Sequence, residues 1–314
     1  MPEESSSGFQ QQMVYQPAPP PSQRPRLELR PLSTGEILDR VFFLYRSRWS
    51  LFIGITLVAA AVKSLDGAVA LAMFRTRYHA YTTAILLILR IVAGLLAFLV
   101  TSVTQAATTS AVSNIYLGRD TSIGASFRAV IGKWYRYILI ALWQGWAAFW
   151  PFILLLVVAG AAMGAKIVWL YLLLFFLALA SLAYGIVSYI RNSLAVSATV
   201  VESLPVRAAM RRSKNLVDGR AGRIFLMFLL IVALYLVFGM LQAPASSVIG
   251  RAPLAPHPVA QGVTLAITFL SVALLLPVGC IGLCLFYFDE RVRREGFDIE
   301  FMMAQSDVAE PVNQ

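Results

Sequence analysis

Three charged side chains lie within otherwise apolar stretches of the chain, where an ionised group is expensive unless it is paired. Lys63 and Asp66 fall in the first such stretch, and Arg90 falls in the second. Counted at about 1.5 Å per residue along antiparallel helices, the three side chains reach a similar depth. They form a candidate intramembrane polar cluster, which would serve an anionic head group or an ion pathway. A structural pair between Asp66 and one cation is the favoured interpretation.

A second candidate site is a cationic segment between the fourth and fifth apolar stretches. Its candidate contacts to anionic lipid or phosphate are Arg207, Arg211, Arg212, Lys214 and Arg220. Each cation near a membrane surface contributes about 1 kcal/mol to the binding of anionic lipid. The alternative is the general excess of Lys and Arg on the cytoplasmic side of membrane proteins. Glu202 is expected to pair with one of these arginines.

The residues that catalyse reactions do not form a recognisable set in this sequence. It contains no nucleophile, base and orienter pattern, no metal-ligand cluster and no phosphate-binding loop. Its two histidines, His79 and His257, fall in separate predicted loops. Cys280 and Cys284 lie in an apolar helix, where they suit a tight helix contact better than a disulfide or metal site. No catalytic residue, cofactor or metal is therefore predicted.

The composition predicts a membrane protein. Of the 314 residues, 59% are hydrophobic and 13% are charged, and the mean hydropathy is +0.72. A helix that crosses a bilayer needs about 20 apolar residues. Six stretches meet this requirement: Leu51–Phe74, Tyr81–Val103, Tyr135–Met163, Ile167–Tyr189, Ile224–Ile249 and Val263–Phe288. The second is expected to continue as a helix to Tyr116. The fold class is therefore an all-α integral membrane protein with about six transmembrane helices.

The positions of the cations predict the orientation. Of the 26 Lys and Arg residues, 20 fall in the two tails, the second connection and the fourth connection, and only four fall in the other connections. Both termini are therefore predicted to be cytoplasmic, in the cytoplasmic (inner) membrane. The net charge of +10 would suit nucleic acid. Because the cations lie between spans, anionic phospholipid is the predicted partner and nucleic acid is not.

Short amphipathic helices are predicted to lie along the membrane before each pair of spans. They begin near Ser33, Ser122 and Leu204. Ser33 and Glu36 form a capping box. The order surface helix, span, span thus recurs at a spacing that predicts a threefold repeat. The predicted domains are a disordered Pro-, Ser- and Gln-rich tail (1–32), a six-helix membrane domain (33–303) and a flexible tail (304–314).

A run of alternating charges follows the last span: Asp289, Arg291, Arg293, Arg294, Glu295, Asp298 and Glu300. Such a run would recruit a cytoplasmic protein partner. More often it only ends a span and keeps its flank in water.

Four segments together resemble the bacterial glycerophosphoryl diester phosphodiesterase membrane domain family. They run from Ser33 to Arg46, from Tyr116 to Ser122, from Glu202 to Arg220 and from Tyr287 to Glu300. The resemblance implies a membrane module, which some members attach to a soluble phosphodiesterase barrel. Such a barrel needs about 200 residues, and its His-Arg-Gly entry is not found at His79 or His257. The enzymatic half of the family name is therefore not carried over.

The leading hypothesis is a non-catalytic membrane protein that binds anionic lipid or supports a membrane or cytoplasmic protein partner. The second is a transporter of a small anionic or lipid-derived substrate, based on the repeat and the intramembrane charges. The third is a phosphodiesterase that acts on lipid-derived diesters.

Overall fold

The computed structural model describes residues 32–75, 80–162, 168–251 and 258–296. Residues 1–31 of the predicted N-terminal tail (1–32) and the whole predicted C-terminal tail (304–314) lie outside the described residues, as do His79, His257, Asp298 and Glu300. The described helices are α1 (Thr34–Ser47), α2 (Trp49–Arg75), α3 (Ala80–Tyr116), α4 (Ile123–Ile131), α5 (Trp134–Ala162), α6 (Val168–Asn192), α7 (Ala195–Glu202), α8 (Val206–Val217), α9 (Ala221–Arg251) and α10 (Pro258–Glu295). No strand occurs among these residues, and the all-α prediction is confirmed.

Six of the described helices are long and apolar enough to cross a membrane, namely α2, α3, α5, α6, α9 and α10. The predicted number of spans is therefore confirmed. The helix of the second span reaches Tyr116, as expected. With 37 residues in α3 and 38 in α10, both helices exceed the length that a bilayer requires. They can therefore extend beyond the membrane and carry a folded region there.

Two of the short helices, α1 and α4, begin at the residues that the sequence indicates, whereas α7 was not predicted. At α1, Glu36 N–H donates to Ser33 Oγ at 3.3 Å and Ser33 N–H donates to Glu36 Oε2 at 2.7 Å. This is the predicted capping box. Ser122 caps α4 by accepting from Ala125 N–H at 3.2 Å. After α8, Gly219 has φ +75°, a backbone conformation that glycine adopts without strain, which ends the helix.

Along the described chain, one or two short helices precede each pair of spans. The pairs are α2 with α3, α5 with α6, and α9 with α10, and the members of each pair pack against each other. The three pairs have different environments. Helix α10 packs against α2, α3 and α9, whereas α5 packs mainly against α6. The α5–α6 hairpin is therefore peripheral, with most of its large apolar side chains exposed.

The short helices lie at one end of the bundle, called the basic end here because the helices there carry most of the described Arg and Lys residues. A buried apolar core lies between α1, the end of α3, α7, α8 and the end of α10. Phe286, Tyr287 and Phe288 on α10 are fully buried. Phe288 stacks on Tyr116 with ring centroids 4.8 Å apart. The ends of distant helices are thereby held together in this core.

Candidate functional site

At the basic end, a buried carboxylate of α10 joins both ends of the described chain. Asp289, whose side chain is fully buried, accepts hydrogen bonds from Leu32 N–H at 2.7 Å and from Arg223 Nη1 at 2.8 Å. Arg293, one helical turn further along α10, donates to the same side chain at 2.9 Å. Arg223 also donates to the Leu32 carbonyl at 2.7 Å. Asp289 therefore has charged partners that offset its burial.

The neighbouring Glu290 is buried in the same way. It pairs with Arg220 at 2.8 Å, with Arg223 at 3.3 Å and with Arg294 at 3.9 Å. The guanidinium of Arg294 also donates to the carbonyl of Asp218 in the turn before α9. These contacts fix the start of α9 against the end of α10.

The ion pairs of Asp289 and Glu290 belong to a larger ion network, which also contains the carboxylates of Glu202 and Glu295. Arg212 of α8 pairs with Glu202 at 2.9 Å and donates to Glu295 at 2.7 Å. Hydrogen bonds to Glu295, followed by those to Glu202, raise the pKa of Arg212 above its ordinary value. Tyr287 Oη donates to Glu202, and Arg291 pairs with both carboxylates. The prediction that Glu202 pairs with a nearby arginine is confirmed.

The ion network divides the predicted lipid contacts into two groups. Arg212 and Arg220 pair with carboxylates inside the protein. Arg207, Arg211 and Lys214 are exposed on α8. Their spacing of four and three residues places them along one side of the helix. The structure therefore separates two arginines with internal partners from three exposed cations.

Helix α8 is anchored to the basic end of α6 through its buried side. Ser213 Oγ donates to the carbonyl of Arg191 at 2.9 Å and accepts from Leu194 N–H at 3.1 Å. Met210 and Leu216 are buried beside it. The helix therefore lies with its apolar side against the bundle and its cationic side outward, which is the pattern of an interfacial helix.

The structure joins two members of the predicted intramembrane cluster. Lys63 Nζ lies 2.8 Å from Asp66 Oδ2, three residues along α2. Asp66 is buried, while 47% of the Lys63 side chain is exposed. Arg90 is exposed on α3, and among the described residues it has no ion-pair partner. This arrangement corresponds to the structural pair that the sequence favoured.

Sequence reasoning missed the contacts of Arg223, Asp289 and Glu290. The alternating charges indicated a solvated flank or a surface for a partner, yet Asp289 and Glu290 are buried. One feature of the sequence does indicate this burial. Both carboxylates directly follow the apolar segment Phe286–Phe288, with no break in the helix. Buried carboxylates in such a place require cationic partners.

A groove opens on the side of the bundle between α5, α6 and α9. Its volume is about 500 Å³, within the range of small-molecule sites. Its walls include Phe149 and Phe152 from α5, Leu182 and Ile186 from α6, and Phe225 and Phe228 from α9. The lining is almost wholly apolar, which suits hydrocarbon.

Comparison of the chain with protein-family models, with curated proteins and with solved structures found no match in any of the three. The resemblance to the phosphodiesterase membrane domain therefore stays a prediction, as do the phosphodiesterase and transporter hypotheses.

Among the described residues, no group of three or more His, Cys, Asp or Glu side chains is arranged to hold a metal ion. The chain is a multi-pass helical membrane protein.

Proposed function

We propose that this membrane protein is non-catalytic and binds anionic phospholipid at its basic end through α8. One observation carries the proposal. Arg207, Arg211 and Lys214 are exposed along one side of α8, whereas the neighbouring Arg212 and Arg220 are neutralised by internal carboxylates. An amphipathic helix with an exposed row of cations at a membrane surface attracts anionic head groups.

Neutralising the three exposed cations should remove most of the preference for anionic lipid. The test is to place the protein in phosphatidylcholine vesicles and to measure its association with spin-labelled phosphatidylglycerol and phosphatidylcholine. The variant carries Arg207→Gln, Arg211→Gln and Lys214→Gln. At about 1 kcal/mol per cation, each replacement should reduce the relative association of phosphatidylglycerol about fivefold. The wild-type preference should also fall with added salt.

A matched control removes three cations from another part of the basic end. Arg119, Arg128 and Lys133 are exposed, and their replacement by Gln lowers the net charge equally. If both triple variants lose the preference to the same extent, the attraction is only the general positive charge of this face. The proposal would also fail if the α8 variant kept the wild-type preference.

We infer that the basic end faces the cytoplasm. The excess of Lys and Arg on this side supports the inference. The test uses single cysteines in a version that lacks Cys280 and Cys284, with a membrane-impermeant thiol reagent applied to intact cells. Labelling is expected at positions 77, 166 and 251 and is not expected at 119 and 211. Labelling from outside at 119 or 211 would reverse the orientation and contradict the cytoplasmic assignment.

A further inference from the structure

The groove between α5, α6 and α9 has the length of one leaflet. Along α6 its lining runs from Ser181 to Ile190, and along α9 from Phe225 to Val232. At about 1.5 Å per residue these segments are about 14 Å and 10 Å long. The hydrocarbon of one leaflet is about half of 30 Å thick. The groove is therefore too short for a membrane-spanning partner helix and matches a single lipid chain.

The groove lies in the half of the membrane next to the basic end. Its lining residues Tyr189 and Ile190 come immediately before Arg191, whose carbonyl anchors α8 through Ser213. Phe225 lies within the first turns of α9, which begins close after α8. The end of the groove nearest the basic end is therefore adjacent to α8.

The exposed cations of α8 lie on the side of the helix that is turned away from α10. Arg212 points to α10 through its bonds to Glu295. At about 100° per residue, Lys214 and Arg207 lie roughly opposite Arg212 on the helix. They therefore face away from α10, whereas the described lining of the groove comes from α5, α6 and α9. A negatively charged head group would find its counter-ions there.

We propose that the α5–α6–α9 groove holds one acyl chain of an anionic phospholipid whose head group is bound by α8. This inference rests on the proposed function and names the place where the lipid is held. The apolar walls bind the chain, the cations select the charge of the head group, and the peripheral α5–α6 hairpin leaves the groove open to the leaflet.

The test uses two photoreactive phospholipids in vesicles that contain the full chain. Phosphatidylglycerol and phosphatidylcholine probes each carry a diazirine near the end of one acyl chain, and the labelled peptides are identified by mass spectrometry. In the wild type, the phosphatidylglycerol probe is expected to label the groove segments of α5, α6 and α9 at least about fivefold more than the phosphatidylcholine probe. Replacing Arg207, Arg211 and Lys214 by Gln removes the attraction to the negative head group and should bring this ratio close to one.

Filling the groove provides a second, independent variant. Leu182→Trp with Val232→Trp places two indoles in the groove from opposite walls and should abolish its labelling. Val187→Trp is the matched control, because Val187 is also on α6, is 54% exposed and does not line the groove. The control should label as the wild type does.

The outcomes distinguish this inference from the proposed function. If α8 prefers phosphatidylglycerol in the spin-label assay but the groove is labelled no more than the lipid-facing side of α2, the groove assignment is overturned and the proposed function stands. Equal labelling of the groove by both probes would likewise mean that ordinary bilayer lipid occupies it. If neither assay detects a preference for phosphatidylglycerol, both proposals fail.

Discussion

Replacing Asp289 by Asn should lower the free energy of unfolding by about 3–5 kcal/mol, the effect expected when one partner of a buried ion pair is removed. The Asp289 side chain is fully buried and pairs with Arg223 and Arg293. Asn has nearly the same shape but no charge, so the two guanidiniums lose the charge that offsets their burial. Titration of the purified protein in mixed micelles with SDS, followed by circular dichroism, measures this free energy.

The control for Asp289 is Asp39→Asn in α1. Asp39 is exposed, and a surface substitution usually changes stability by less than about 0.5 kcal/mol. A loss for Asp289→Asn that is no larger than the loss for Asp39→Asn would mean that the ion network does not hold the basic end together. A second variant, Arg223→Gln, should destabilise by a similar amount because it leaves Asp289 short of positive charge.

The second large effect is expected from Phe288→Ala, which should lower the free energy of unfolding by about 3–5 kcal/mol. Phe288 is fully buried in the core of the basic end and stacks on Tyr116. Removing the ring leaves a cavity between α3 and α10, and it also removes an aromatic pair that contributes about 0.5–1.5 kcal/mol. The same SDS titration measures this loss.

An exposed phenylalanine serves as the matched control for Phe288. Phe43 on α1 is 64% exposed, so Phe43→Ala creates no internal cavity and should change stability by less than about 0.5 kcal/mol. Equal losses for the two variants would contradict a packed core at the basic end. A loss confined to Phe288 would support it.

These two predictions concern the part of the protein that holds α8 in place. Arg212 fastens one flank of α8 to Glu202 and Glu295, and Ser213 fastens its buried side to the end of α6. The three exposed cations are therefore held in a fixed row, which reduces the entropy lost when a head group binds. In this arrangement the internal ion network supports the proposed lipid site without contacting lipid itself.

The local features of this protein follow from its amino-acid sequence. A run of about 20 apolar residues must form a helix in lipid, since its backbone groups have no other partners there, and the six spans follow from that rule. Ser33 and Glu36 determine where α1 starts, because their side chains bond to the free N–H groups of the first turn. Lys63 and Asp66 pair because three residues separate them on one helix.

Which charges face the solvent depends on how the helices pack against one another. Leu32 and Asp289 are bonded although 257 residues separate them along the chain, and no local pattern indicates such a contact. The five cations around α8 look equivalent in sequence, yet Arg212 and Arg220 have internal carboxylate partners, whereas Arg207, Arg211 and Lys214 are exposed. A cation is neutralised only where a carboxylate packs within a few ångströms of it. The packing of α10 against α8 and α9 determines which cations have such a carboxylate.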